Sequence, residues 1–60
     1  MSYEKLKEDM RVAYKKMALA KTALLKRDFE VCGVLLEAVV HEAEELSEGV
    51  FDFKAMEDRS

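Results

Sequence analysis

Sixty residues, half of them apolar and 38% charged, allow a single domain and argue against disorder. A chain of this size buries only about 60% of its unfolded surface and is marginal without a disulfide, a metal or a partner. Its one cysteine, Cys32, excludes an intrachain disulfide and fits a reducing, cytoplasmic setting.

The net charge of −3 conceals an asymmetry. Residues 1–27 hold eight Lys/Arg and three Asp/Glu, net +5, whereas residues 28–60 hold two and ten, net −8. Two antiparallel helices of opposite charge attract each other; a basic face for an acidic partner is the other reading. The first ten residues carry Glu4, Lys5, Lys7, Glu8 and Asp9 without an apolar core, so no signal peptide is expected. The longest uncharged apolar run, 31–36, includes Gly33 and falls far short of the roughly 20 residues a membrane span needs.

In chain order, apolar residues first recur as Tyr3, Leu6, Met10, Ala13, Met17, Ala20 and Leu24, a heptad seam that predicts helix 1 over about 2–26. A second seam follows at Phe29, Cys32, Leu36, Val39, Ala43, Leu46, Val50 and Phe53. The five-residue step from Leu24 to Phe29 puts the two seams out of phase, so a single straight helix would send its stripes to different faces. The local chemistry agrees with a turn at 27–28. Lys26 and Arg27 suit a helix C-terminus, and Asp28 suits an N-cap with Glu30 in the following first turn. Gly33 then lies inside helix 2, where its cost of about 1 kcal/mol against Ala suggests a close-approach position.

Helix 2 is expected over about 29–48, with Gly49 as a candidate terminator and 49–60 as a tail or short third helix. Val50 and Phe53 keep the heptad phase, which leaves open a helix that runs on. Residues 57–60 are expected to fray.

Both helices carry apolar residues beyond their seams, and the flank formed by Leu19, Leu25, Leu35 and Val40 is wider than one hairpin covers. Leaving those four in water forgoes roughly 1.5–3 kcal/mol each. An all-α antiparallel hairpin that dimerises into a four-helix bundle is the simplest remedy. Leu19, Leu25, Leu35, Val40, Met10 and Met17 are the expected dimer or partner interface. The seam methionines and Cys32 are expected as core filling.

Leu19 and Ala20, then Asp28 and Phe29, then Cys32, Leu36 and Val39 resemble one unit of the tetratricopeptide family: a helix-A pair, a turn and its following aromatic, and later small and apolar positions. This resemblance covers 19–40 and implies peptide or protein binding. An aromatic is missing at Ala23, no proline follows helix 2, and one unit has no stacked neighbours. The overall plan, a short single domain with a basic helix 1, is similar to the plasmid repressor-of-primer family. That likeness implies a dimeric hairpin bundle binding paired RNA loops. No residue motif carries it, so no site is transferred.

No catalytic constellation assembles. His41 with Glu37, Glu44 and Glu45 forms a surface patch, and HEAEE lacks the second His of a zinc-protease motif. Glu44, Glu45 and Glu48 resemble the magnesium half-motif of all-helical nucleotide pyrophosphohydrolases, without the second acidic helix those enzymes need. Arg11 and Lys15, an i,i+4 pair with Tyr14 nearby, form a candidate nucleic-acid face. The sequence therefore reads as a non-enzymatic regulatory or inhibitory protein acting by helix-mediated protein binding. It would pair with itself and another protein, without cofactor, metal, small-molecule substrate or membrane. The alternative is an RNA-binding bundle that uses helix 1.

Overall fold

The computed structural model describes residues 2–59. Two helices make an antiparallel hairpin: α1 spans Tyr3–Leu25 and α2 spans Phe29–Arg59. α1 starts where Ser2, in an extended conformation, accepts from the Lys5 amide at 3.1 Å through its hydroxyl, a side-chain N-cap.

The turn is where the charge switch places it, but its geometry is not one the residue types announce. Asp28 N–H donates to the Ala23 carbonyl at 2.8 Å, and Arg27 N–H donates to that of Leu24 at 3.0 Å. These are the paired bonds of a Schellman C-cap. The cap needs a left-handed residue, and Arg27 takes it at φ 61°, where glycine is usual. Asp28 then caps α2, its Oδ1 accepting from the Val31 amide at 3.3 Å.

The expected tail is corrected: α2 does not stop at Glu48 but continues as one helix of 31 residues. Gly49 is buried and keeps negative φ, so it is a packing residue rather than a left-handed terminator. Phe53 supplies the reason for continuation. It packs on the Leu6–Ala13–Leu46 cluster and meets the Tyr3 ring edge-on, 6.1 Å between centroids. Fraying was expected at residues 57–60; the chain is helical to Arg59, with a Lys54–Asp58 contact at 3.8 Å, and Ser60 lies outside the described residues.

The seam also differs from expectation, in an instructive way. The contact line between the helices takes Leu6, Asp9, Ala13, Lys16, Ala20 and Ala23 from α1, and Cys32, Leu35, Val39, Glu42, Leu46, Gly49 and Phe53 from α2, all buried or half-buried. One row of each predicted seam is present. The other row, Met10, Met17 and Leu24 with Phe29, Leu36, Ala43 and Val50, is exposed. Met10 and Met17 are therefore not core filling; each is about half exposed, at 49% and 50%. Small residues on the contact line let the backbones approach, and this leaves the longer side chains outside.

The core consists of two patches. Leu6, Ala13 and Leu46 form one, Ala20, Ala23 and Cys32 the other. Between them Lys16 Nζ donates to Glu42 Oε1 across the helices. The radius of gyration is 14.4 Å and the extents are 49 × 16 × 13 Å, against roughly 10 Å for the radius of a globular chain of this length. The hairpin is a single layer with both broad faces open.

Candidate functional site

Heptad rows one step apart are separated by roughly 50° around a helix. In both helices the exposed row lies on the same side of the contact line. Met17, Lys21 and Leu24 of α1 and Leu36 of α2 line one groove over Ala20 and Cys32. This is the first face, and it runs the length of the hairpin from Tyr3 and Val50 to Leu24 and Phe29. Tyr14 and Val40, both exposed, flank it one row further out.

The second face is opposite. Its turn-proximal half is a groove lined by Leu19, Thr22, Ala23, Lys26, Asp28, Val31 and Leu35. Its other half is lined by Asp9, Val12, Glu42, Glu45 and Leu46. Glu42 Oε2 is buried there with no hydrogen-bond partner among the described residues, while the other oxygen of the carboxylate accepts from Lys16. Asp9, which lines the same groove, pairs with Lys5 at 2.9 Å. The hydrogen bond and charge of Asp9 push the Lys5 ammonium above the ordinary lysine value.

The expected interface residues are thus divided. Leu19 and Leu35 meet on the second face, Met10 and Met17 lie on the first, and Val40 flanks the first. Leu25 points to the outside of α1, where it is exposed. They do not form one continuous flank: at 3.6 residues per turn Leu19 and Leu25 stand about 120° apart around α1, and Leu35 and Val40 about 140° apart around α2, while Met10 and Met17 are left outside because the contact line is rotated one row from the seam predicted. Residues that the seam reading had placed in the interior, Leu24, Leu36 and Val50, are the ones it missed for the surface.

Arg11, Tyr14 and Lys15 do share the outer surface of α1. Arg11 and Lys15 have no ion-pair partner among the described residues, and Tyr14 is 77% exposed. Lys7, by contrast, is engaged by Glu4 at 3.7 Å and lies over the Tyr3 ring at 5.5 Å.

His41, Glu37, Glu44 and Glu45 are exposed. Among the described residues no three His, Cys, Asp or Glu side chains gather in a way that could hold a metal ion. Gly33 has open space where a Cβ would stand, so the close approach expected of it does not occur within the chain. None of the described helices is long and apolar enough to cross a membrane.

Comparison with known proteins gives no match: no family model, no curated protein and no solved structure. The tetratricopeptide resemblance rests on the residues quoted for it alone, and the repressor-of-primer likeness on the overall plan alone.

Proposed function

We propose that this chain is a small non-enzymatic regulatory or inhibitory protein that acts by helix-mediated protein–protein binding, and that its first face is closed by a second copy into a four-helix bundle. One observation carries the reading. The apolar seams of α1 and α2 point roughly 50° off the line between the helices, both toward the same face. A helix in a square bundle has two neighbours at right angles, so its stripe bisects them, about 45° off either. An isolated hairpin has no use for that rotation.

Exposure agrees in sign. Met10, Met17, Leu24 and Leu36 are 49%, 50%, 51% and 40% exposed, and covering each contributes of order 1 kcal/mol at partial burial. With the first face closed, the second face, apolar near the turn and acidic beyond it, is left for another protein.

The test is mass by light scattering. Wild type is expected at twice the 6.9 kDa chain mass, and Met17→Glu at the single mass. Leu19→Glu, on the second face, should leave the dimer intact. A Met17→Glu protein that keeps the doubled mass would overturn the assignment of the first face.

A second reading is favoured by the unpaired Arg11 and Lys15 beside exposed Tyr14: α1 binds RNA. Phosphate binding would weaken with a slope of about one log unit per neutralised phosphate as log salt rises. Arg11→Ala with Lys15→Ala should abolish it; RNA affinity unchanged in that double variant sinks the reading.

A further inference from the structure

Two hairpins can close their first faces against each other in two ways. With the symmetry axis along the helices, both turns lie at one end and α1 packs on α2 of the second copy. With the axis across the helices, the turns lie at opposite ends and α1 packs on α1, α2 on α2. Both give antiparallel neighbours, so packing geometry alone does not separate them.

Charge does separate them. We infer that the occupant of the first face is a second copy set with its turn at the same end, α1 against the partner's α2. This rests on the bundle reading above. The α1 half of the chain carries net +5 and the α2 half net −8. Same-end pairing alternates these signs around the square, whereas opposite-end pairing stacks +5 on +5 and −8 on −8.

The register makes the contrast local. Lys16 is level with Glu42 across the hairpin, so Lys21, beside the first-face groove, is level with position 37. In same-end pairing Lys21 therefore flanks Glu37 of the second copy. In opposite-end pairing, centred on Tyr14, Lys7 comes level with Lys21 of the second copy and Glu44 with its own counterpart. Like charges placed in this way act against a wrong partner or orientation.

The face is of the size that specific pairs use. A face of 49 × 16 Å presents about 800 Å², the share each partner contributes to a standard specific interface.

The arrangement has a functional consequence. Same-end pairing puts the two α1 helices on a diagonal, so their basic outer surfaces never join. Opposite-end pairing puts them side by side, a continuous basic strip of the kind the RNA reading needs.

The experiment is a distance between nitroxide labels at the turn. The variant is Lys26→Cys with Cys32→Ala, checked for helicity by circular dichroism and for mass by light scattering. Lys26 is an exposed C-cap residue on the second-face side of the turn, so the label leaves the first face clear. Same-end pairing predicts one distance near about 20 Å, the width of a bundle. A dimer with a distance near about 40 Å, the length of α1 plus its turn, overturns the orientation while leaving the bundle in place. A chain that stays at monomer mass, both as wild type and as this variant, removes the bundle reading as well.

Discussion

At the residue scale, the turn depends on an arginine doing what glycine does more cheaply. Arg27 at φ 61° bears the Cβ penalty of the left-handed region, partly offset by the smaller entropy an arginine loses on folding. Arg27→Gly should raise stability by about 0.5–1 kcal/mol, read as a higher midpoint in urea. Arg27→Val, β-branched at the same φ, should lower it by more than that. An unchanged midpoint in both would mean that the Schellman bonds of Asp28 and Arg27 do not persist in solution. Asp28→Ala should cost about 1 kcal/mol by the same assay, since the Val31 amide loses its acceptor. The turn's position was legible from Lys26, Arg27 and Asp28. Its left-handed residue was not, because no glycine marks it and neighbouring bonds impose the conformation.

At the element scale, the length of α2 depends on one aromatic. Beyond Gly49 the helix has no facing stretch of α1 except Tyr3 and Leu6, and Phe53 makes that contact. Phe53→Ala should fray the segment after Gly49, seen as a loss of helical signal at 222 nm with a cost of about 1–3 kcal/mol; full helicity at unchanged stability would refute this role. The Lys16–Glu42 pair poses the opposite question. Its side chains are 35% and 28% exposed, so it is partly solvated, and it separates the two apolar patches of the contact line. Replacing both by apolar groups, Lys16→Met with Glu42→Leu, should be neutral or raise the thermal midpoint, because the desolvation cost and the unpartnered Glu42 Oε2 go together. A fall of several degrees would show that the pair stabilises more than it costs. Heptad counting could not foresee Asp9, Lys16 and Glu42 on the contact line, since polar residues are scored as outside. The alanines and Gly49 bring the helices close enough to enclose the charged stems.

At the scale of the whole molecule, the hairpin exposes more large apolar side chains than it buries. Among the described residues the buried apolar set is Leu6, Ala13, Ala20, Ala23, Cys32 and Leu46, three of them alanine, which is little to set against the entropy of ordering about sixty residues. If the first face pairs with a copy, folding and association are one equilibrium, and the melting midpoint should rise over a roughly hundredfold range of protein concentration; a concentration-independent midpoint would argue against the coupling.

The sequence by itself determined the helical hairpin, the place of its turn and the opposed charges of its helices. Those follow from periodicity, capping chemistry and charge along the chain, which are local. It also contained the contact rows, but merged in one stripe with a second row that the hairpin leaves exposed. Only the tertiary structure decided which row of that stripe faces the other helix and which is left outward. That choice depends on how closely two backbones approach, set here by Ala13, Ala20, Ala23 and Gly49 acting together across the hairpin, and no window of one helix contains it.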